Sequence, residues 1–353
     1  MFKKAIILTA SLLCIASFAY ADKLYLKSGK AIEGEISQET EDYIKINFSG
    51  VELTYFKDQI NKIARSGGPA FMVGLENPTP AAKQAFYARK SFIWKIDSGK
   101  GDLYLLGSLH VGKSELYPLP ENITDAFEAS DKVAVEADIN NLSASLKMME
   151  EGIYAGGQTI NEKLKPSTLR LLEAKLSARS LNFSEYAVFK PWFLSLFLQI
   201  MELKKLGFDE ELGIDRYFLD RAEGKEILEL EGAEFQINLF NEFSESLQDM
   251  FLFSTLMGLD GLKIEIEQIV KAWISGDAAE MERITFKDKA KYPELSLMYE
   301  KLFYERNRNM ASKIEVFLKQ GGSFFVIVGA GHLVGERGIV KLLEQKGYAV
   351  RQL

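Results

Sequence analysis

The positions of apolar and polar residues divide the chain into strand-like ends and a long helical middle. YIKINF (43–48) and VELTYF (51–56) alternate between apolar and polar residues, which is typical of half-buried strands joined by a hairpin. From residue 143 to about residue 312, apolar residues instead recur every three to four positions, which predicts amphipathic helices. Strands on both sides of a helical stretch predict a mixed α/β or α+β domain.

Short apolar runs bounded by turns predict the strands of one mixed sheet around this helical middle. The runs are FIWKI (92–96), DLYLLGS (102–108), KVAVEADI (132–139), KEILELEG (225–232), FFVIVGA (324–330) and YAVRQL (348–353). Two of the predicted helices have clear bounds. One opens with Pro191 in its first turn and closes on Gly207, and the last long one runs from about Leu295 to Lys319.

The residues that follow position 21 predict a small all-β module. KLYLK (23–27) and AIEGEIS (31–37) form one hairpin, and the alternating runs after them raise the total to four or five short strands before residue 66. The stretch resembles small barrels of the Sm-like or SH3-like type, which are marginally stable alone. It carries no histidine or cysteine, so we expect it to support the larger domain or to bind a partner.

A stretch that collects Gly and Pro without clear periodicity, residues 67–90, predicts a linker. The linker separates two predicted folding units. The first is the small β-barrel module at residues 22–66, and the second is the α/β domain with the helical middle at residues 91–353.

The first 21 residues predict a secretory signal peptide. Lys3 and Lys4 precede an apolar run of secretory length, and an A-x-A site ends at Ala21. The alternative is a membrane anchor, although a membrane span needs about 20 apolar residues and this run is shorter. The one cysteine of the chain, Cys14, lies inside the segment, so the mature chain would contain no thiol. We expect cleavage after Ala21 and a periplasmic or secreted protein.

Composition excludes several kinds of partner. The 353 residues carry a formal net charge of −7 and are 47% hydrophobic, which is the composition of a globular protein. An acidic chain has no basic excess to attract nucleic acid. No later apolar run is long enough to span a bilayer, so we expect no transmembrane segment in the mature chain.

The chain contains only two histidines, and both lie in the same local pattern. One apolar strand leads to Gly107 and then His110, and another leads to Gly329 and then His332, so each histidine closes a G-x-x-H motif. Ligand sites in open α/β sheets gather where strands end, and imidazole is both a metal ligand and an acid–base group. If the two strands are neighbours, both histidines face one crevice. The alternative is that each histidine is an isolated core or loop residue.

Acidic residues follow two other predicted strands. Glu136 and Asp138 are two positions apart in KVAVEADI, so both lie on one face at the carboxyl end of that strand. Glu229 and Glu231 repeat this spacing in KEILELEG. A buried carboxylate needs a cation or a hydrogen-bond donor, which makes these pairs candidate site residues. A solvated strand end or the start of a helix is the alternative explanation.

Several familiar catalytic motifs are missing from the sequence. It contains no H-E-x-x-H helix, no G-x-S-x-G elbow, no P-loop and, without the signal peptide, no thiol nucleophile. GAGHLVG fails as a dinucleotide motif because Val334 stands where the last glycine is needed. Arg306, on the last long helix, is either a ligand for a carboxylate or oxyanion or a surface residue. Two histidines with one or two carboxylates favour a metal site with open positions.

Eight motifs that occur in order between Phe92 and Leu353 resemble the TraB/GumN family, which is related to the Tiki metal-dependent proteases. They are LLGSLHVG (105–112), YPLP (117–120), VAVEAD (133–138), KPW (190–192), GID (213–215), the LE of LELEG (228–232), ERN (305–307) and VGAGHLVGERG (328–338). The paired G-x-x-H motifs with the glutamate between them are the specific part. The N-terminal module lies outside the resemblance.

The resemblance implies a metal-dependent hydrolase that acts on the peptide bonds of a peptide or protein substrate. His110, Glu136 and His332 match the active-site positions of the family, and Glu231 and Arg306 match accompanying positions. His110 and His332 are therefore expected to bind a divalent metal ion (Mn, Co or Zn), with Glu136 as a ligand or the general base. Glu231 would bind the metal ion directly or support the residues that bind it, and Arg306 would stabilise the oxyanion. The alternative is a non-catalytic protein that binds or sequesters peptides on the same scaffold.

Overall fold

The computed structural model describes residues 22–27, 31–39, 43–48, 51–64, 90–289 and 292–353. The described residues divide into two compact units, one within residues 22–64 and one within residues 90–353. The predicted signal peptide (1–21) and most of the predicted linker (67–90) lie outside the described residues, so both remain predictions.

The N-terminal unit is an antiparallel sheet of five strands in the order β4-β3-β2-β1-β5. The strands are β1 (Asp22–Leu26), β2 (Ala31–Glu39), β3 (Tyr43–Phe48), β4 (Val51–Phe56) and β5 (Ile60–Ala64). Both predicted hairpins form, since β1 pairs with β2 and β3 pairs with β4. Leu24 and Ile44 are its fully buried centre. Among its described residues β4 and β5 do not pair, so closure into an Sm-like or SH3-like barrel remains a prediction.

The larger unit contains a mixed sheet of six strands in the order β11-β6-β7-β10-β8-β9. The strands are β6 (Ile93–Asp97), β7 (Asp102–Ser108), β8 (Lys132–Val135), β9 (Glu226–Glu229), β10 (Phe324–Gly329) and β11 (Ala349–Gln352). The four neighbours β7, β10, β8 and β9 are parallel, whereas β6 and β11 are antiparallel to the strands beside them. The predicted mixed α/β class is confirmed.

Helices fill most of the chain between β8 and β10, as the three-to-four spacing of apolar residues predicts. The helices of the larger unit are α1 (Glu121–Glu128), α2 (Leu142–Glu151), α3 (Pro166–Ser177), α4 (Phe183–Tyr186), α5 (Pro191–Lys205), α6 (Ile214–Leu219), α7 (Ala233–Asn241), α8 (Glu245–Gly258), α9 (Leu262–Ile274), α10 (Ala278–Phe286), α11 (Ser296–Tyr299), α12 (Glu305–Gln320), α13 (Ala330–Leu333) and α14 (Ile339–Gln345). None of the described helices combines the length and apolar character needed to cross a membrane.

The last long helix differs from its prediction in one respect. A single π-helical turn, Glu300–Tyr304, separates α11 from α12, so the predicted continuous helix from Leu295 to Lys319 is interrupted. Such π turns insert an extra residue into a helix and are frequent at functional sites. Here the turn ends two residues before Arg306.

Helices cover both faces of the sheet, which is why its central strand is apolar at nearly every position. Successive residues of a strand point to opposite faces. The ring of Phe325 lies 5.4 Å from Phe127 of α1 and 4.9 Å from Phe218 of α6. The ring of Phe324, on the other face, stacks 4.9 Å from Phe317 of α12. Every residue of β10 is buried between these two layers.

The helical middle has its own apolar clusters, with α5 shared between two of them. Trp192 and Phe251 belong to one cluster, and Leu198 and Leu256 belong to the other. Because apolar residues leave α5 in both directions, this helix is buried nearly all round. Its bounds confirm the prediction, since Pro191 occupies the first turn and Gly207 follows the last turn with φ +83°.

Candidate active site at the carboxyl ends of four parallel strands

Four neighbouring parallel strands each carry one predicted site residue just beyond their carboxyl ends. His110 follows β7, His332 follows β10, Glu136 follows β8 and Glu231 follows β9. The strand register aligns Ser108 with Gly329 at the junction of β7 and β10. Parallel strands end at one edge of a sheet, so four residues that are far apart in sequence meet at this edge.

Glycines let the chain segments at this edge approach closely, as the G-x-x-H pattern predicts. A Cβ atom on Gly107 would lie 2.5 Å from the ring of Phe92 and 3.2 Å from Cα of Ala330, in the turn that carries His332. A Cβ atom on Gly213 would lie 2.6 Å from the carbonyl oxygen of His110. Both positions therefore require glycine if the two histidine segments are to keep their places.

His110 is held by a carboxylate that the sequence does not single out. Its Nδ1 lies 2.9 Å from Oδ2 of Asp215, in the first turn of α6. Ser108 Oγ donates to the other oxygen of Asp215 at 3.0 Å and accepts from its backbone N–H at 3.1 Å. Burial alone would raise the pKa of Asp215, but His110 and the hydrogen bonds hold that pKa below its ordinary value. A carboxylate only accepts, so Nδ1 of His110 carries the proton of this bond.

His332 has a neutral partner instead. Its Nδ1 lies 2.5 Å from Oδ1 of Asn307 on α12. The His332 side chain is fully buried, and its Nε2 makes no hydrogen bond within the described residues. Burial is the main reason why the pKa of His332 lies well below its ordinary value, and the nearby charges of Arg306 and His110 lower it further. The imidazole of His332 is therefore neutral at ordinary pH.

Arg306 joins the two predicted glutamates in a buried ion-pair triad. Its Nη2 donates to Glu136 Oε2 at 2.5 Å and to Glu231 Oε2 at 2.7 Å, and its Nε donates to Glu231 Oε1 at 2.9 Å. Burial alone would lower the pKa of Arg306, but the two carboxylates outweigh it and raise this pKa further. Because Nη1 donates to the carbonyl of Leu302, one N–H of the guanidinium is left over for any further acceptor.

Glu136 is the residue at which the contacts of the site meet. Its Oε1 accepts the backbone N–H of Gly329 at 2.6 Å and lies 3.8 Å from Nε2 of His332. Its Oε2 accepts from Arg306 and, at 3.3 Å, from the amide of Gln236 on α7. Glu136 thus links the ends of β8 and β10 to Arg306 and Gln236.

These residues surround a crevice of about 20 Å³, which we call the strand-end crevice. His110, Glu136, Asp215, Gln236 and Ser108 line its polar side. A volume of this size holds about one water molecule or ion. His332 does not line the crevice directly and lies one contact deeper, behind Glu136.

One member of each predicted carboxylate pair, Asp138 or Glu229, takes no part in the site. Asp138 accepts from the backbone N–H of Asn140 at 2.9 Å, as a turn residue does. Glu229 accepts from the backbone N–H of Asp138 at 2.6 Å and so ties β9 to the segment after β8. Each pair therefore contributes only one residue, Glu136 or Glu231, to the site.

The side chains present fit a metal ion in their chemistry but only in part in their arrangement. Two imidazoles and a carboxylate are a donor set that suits Zn, Co or Mn. The buried Nε2 of His332 has no hydrogen bond to any described residue and lies 3.8 Å from a carboxylate oxygen, so this imidazole and Glu136 would be available to hold a cation. Within the described residues, however, no three His, Cys, Asp or Glu side chains are grouped closely enough to hold a metal ion.

Three residues of the site were not predicted: Asp215, Asn307 and Gln236. Asp215 belongs to the GID motif and Asn307 to the ERN motif, but neither motif names a partner for its polar residue. Gln236 lies in an amphipathic helix without any local signal. Their presence inside these motifs was the signal that could have identified Asp215 and Asn307 as site residues.

Comparisons with known proteins identify a family for this arrangement. The sequence model of the TraB/PrgY/gumN family matches residues 92–352. The uncharacterized protein YbaP of Escherichia coli (strain K12) is 25% identical over 247 residues, which cover 69% of this chain and 89% of YbaP.

Two further relatives are named as metalloproteases. The metalloprotease TIKI homolog of Amphimedon queenslandica is 23% identical over 316 residues, which cover 75% of this chain and 62% of that protein. Metalloprotease TIKI2 of Danio rerio is 22% identical over 315 residues, which cover 74% of this chain and 60% of that protein. No solved structure matches the chain significantly.

Proposed function

Because the chain belongs to the TraB/PrgY/gumN family and two of its relatives are named metalloproteases, we propose that it is a metal-dependent peptidase. His110 and His332 bind a divalent ion (Mn, Co or Zn), and Glu136 is a ligand or the general base. The substrate is a peptide or a protein. The predicted signal peptide would place this activity in the periplasm or outside the cell.

One observation carries the proposal: Nε2 of His332 is buried, makes no hydrogen bond to any residue that the structure describes, and lies 3.8 Å from Oε1 of Glu136. Leaving a buried polar atom unsatisfied costs about 1–3 kcal/mol. Such a cost is tolerated mainly where the atom has a function, and an imidazole lone pair beside a carboxylate oxygen suits a cation. A bound divalent ion would supply Lewis-acid polarisation of the scissile carbonyl and make water a stronger nucleophile at neutral pH.

The residues around the ion would have separate tasks. Asp215 orients His110 through its Nδ1, which leaves Nε2 of His110 to point away from Asp215. Arg306 holds Glu136 and Glu231 at fixed positions through charged hydrogen bonds. Oxyanion stabilisation by Arg306 would fall to the remaining N–H of Nη1, because its other N–H groups are directed at protein acceptors.

Substrate binding requires the strand-end crevice to widen. Its volume of about 20 Å³ accepts one ion or water but not a peptide group with its flanking side chains. The apolar wall next to Glu136 includes Ile139, which is partly exposed and lies in the segment between β8 and α2. This segment is the part of the wall that can move most easily, because it connects β8 to α2 and does not belong to the sheet.

The N-terminal module and the export signal complete the proposal. The module at residues 22–66 and the linker at 67–90 are proposed as an accessory unit, since no candidate site residue lies in them. Cleavage after Ala21 is proposed from the A-x-A site, and sequencing of the exported protein would then begin at Asp22.

A second function, non-catalytic peptide binding, is favoured by one observation. The oxygens of Glu136 and Glu231 are engaged by Arg306, Gln236 and Gly329, and no three potential metal ligands are grouped within the described residues. A scaffold that has lost its metal but keeps its ion-pair network would bind peptides without cleaving them.

Turnover separates the two functions. The mature chain, loaded with Mn, Co or Zn in turn, is incubated with an excess of a mixed peptide library, and fragments are counted by mass spectrometry. A peptidase yields many fragments per protein molecule and loses this activity when a chelator removes the metal. Binding of one peptide per protein molecule, with no fragments under any metal, would contradict the peptidase and support the second function.

A further inference from the structure

We propose that Asn307 is a positioning residue that fixes the tautomer of His332, with the ring proton on Nδ1 and the lone pair on Nε2. The tautomer follows from the contacts of Asn307 alone. Its use, which is to keep Nε2 available to a metal ion, rests on the proposed function.

The orientation of the Asn307 amide is determined by its second neighbour. The NH₂ group of Asn307 donates to the carbonyl oxygen of Arg337 at 2.8 Å. A carbonyl oxygen only accepts, so the NH₂ end must face Arg337. The amide oxygen of Asn307 consequently faces His332, and the ambiguity between the two ends of an amide does not arise here.

The orientation of the amide determines the position of the proton on the ring. An amide oxygen only accepts, so Nδ1 of His332, 2.5 Å away, must donate. A neutral imidazole carries one ring proton, so Nε2 keeps its lone pair. Full burial of the ring disfavours its charged form and so agrees with a neutral ring. Metal-binding histidines commonly donate their other ring N–H to such an outer partner.

The alternative tautomer is disfavoured on both sides of the ring. A proton on Nε2 would place an N–H group in a buried position without a hydrogen-bonded acceptor, because Glu136 Oε1 is 3.8 Å away. The bare Nδ1 would then face the amide oxygen of Asn307, and two acceptors would repel each other at 2.5 Å. Both costs disappear in the proposed tautomer.

The position of Asn307 is itself supported from the surface. The side chain of Arg337 pairs with both oxygens of Glu300, at 2.8 and 2.7 Å, and its guanidinium lies 3.8 Å from the ring centre of Tyr304. Glu300 and Tyr304 are the two ends of the π-helical turn. This turn precedes consecutive residues that both reach the site, since Arg306 contacts the glutamates and Asn307 contacts His332.

The scarcity of histidine makes the tautomer directly measurable. The mature chain, labelled with ¹⁵N only in histidine and kept free of metal, should give two pairs of ring-nitrogen signals by NMR, because only His110 and His332 are present. The variant His110→Gln assigns the remaining pair of signals to His332. The proposal predicts that His332 shows a protonated Nδ1 and an unprotonated Nε2.

Two variants test the role of Asn307 itself. Asn307→Leu removes the acceptor at similar volume, so His332 should shift toward the tautomer with the proton on Nε2, whereas Asn307→Asp keeps an acceptor and should keep the proton on Nδ1. Asn309→Leu, the same substitution at an exposed position of the same helix, is the matched control and should leave both signals unchanged.

A metal titration provides the second readout. Asn307→Leu should lower the affinity for Zn or Co by about 10- to 100-fold, as losing the outer partner of a metal-binding histidine does. A wild-type His332 that carries its proton on Nε2 would overturn the proposal, even if the Asn307→Leu variant did not fold. The predicted tautomer in a chain that binds neither metal would support the role of Asn307 and overturn the proposed metal function.

Discussion

Two polar concavities of the larger unit differ in size, in burial and in the way their charges are held. The strand-end crevice measures about 20 Å³, whereas a cleft between helices measures about 520 Å³. We call the second the helical cleft; Glu151, Lys163, Lys190 and Glu245 are among its lining residues. The larger space is therefore not lined by any of the proposed site residues.

The charges of the helical cleft are ordinary surface charges. Lys163 pairs with Glu245 at 2.8 Å, and the Glu245 side chain is 71% exposed. Beside the strand-end crevice, the side chains of Arg306, Glu136 and Glu231 are each exposed by 7% or less. A large cavity volume shows only that helix ends leave space between them. Buried and oriented polar groups are the better indicator of a chemical site.

Substitutions in the crevice should have the largest effect, on catalysis. His110→Ala, His332→Ala and Glu136→Gln should each lower kcat/KM by about 10,000-fold or more, because residues that act as one unit are lost together. A double variant should be little worse than a single one for the same reason. Initial rates on a peptide identified by the fragment screen would measure both effects.

The helical cleft supplies the control for this prediction. Glu245→Ala and Lys163→Ala should leave kcat/KM unchanged, since neither side chain is near the strand ends. If the cleft variants lost as much activity as the histidine variants, the strand-end crevice would not be the place where catalysis occurs.

The second largest effect should be on stability. Arg306→Met leaves Glu136 and Glu231 buried without their cation, which should lower the free energy of unfolding by about 3–5 kcal/mol. Replacing both glutamates by glutamine in the same chain should recover much of the loss, because no uncompensated charge then remains. Urea unfolding monitored by circular dichroism measures these values. Equal stability of Arg306→Met and the wild type would contradict the buried triad.

Glu265 is a buried carboxylate whose partner, Lys287, is partly exposed, so stability should depend on pH through this group. Burial, opposed by Lys287 and reinforced by Asp288, raises the pKa of Glu265 to about 7. Between pH 4.5 and 7 the folded chain therefore keeps a proton on Glu265 that the unfolded chain has lost. The stabilisation from Glu265 is complete below pH 4.5 and disappears as the pH rises through 7.

The total change from this group is about 3 kcal/mol, at ~1.4 kcal/mol for each pH unit. Glu265→Gln cannot titrate, so the stability of the wild type relative to this variant should fall by that amount between pH 4.5 and 7. Urea unfolding of both chains over this range would detect it. Parallel stability curves would mean that Lys287 compensates the buried charge fully.

Removal of the N-terminal module should have the smallest effect. A chain that begins at Lys83 keeps every candidate site residue, so its metal content and turnover should equal those of the full mature chain. Elemental analysis and the peptide assay measure both quantities. A folded, truncated chain without metal would show that the module helps to build the site.

The sheet edge could be predicted from the sequence because one local pattern encodes it. An apolar run ending in G-x-x-H contains both a buried strand and the residue that leaves it, and this pattern occurs around His110 and His332. The paired acidic residues of KVAVEADI and KEILELEG identified two more strand ends. Which member of each pair enters the site could not be read, because the turn after each strand decides it.

The partners of the histidines could not be predicted from local sequence. Asp215 lies 105 positions from His110, and no periodicity connects the two. The sequence left Arg306 as a ligand for a carboxylate or an oxyanion or as a surface residue, because its neighbours were unknown, and the fold places it between the carboxylates of Glu136 and Glu231. The π turn before it depends on packing against the rest of the domain rather than on helix propensity.

The most direct test of the central claim, that both histidines share one metal site, is a crystal structure of the mature chain loaded with Zn or Co. We expect one anomalous scattering peak at about 2.0–2.1 Å from Nε2 of both His110 and His332, with Nδ1 of His110 still hydrogen-bonded to Asp215 and Nδ1 of His332 to Asn307. A peak bound by only one histidine, or no peak between the ends of β7 and β10, would contradict the shared site.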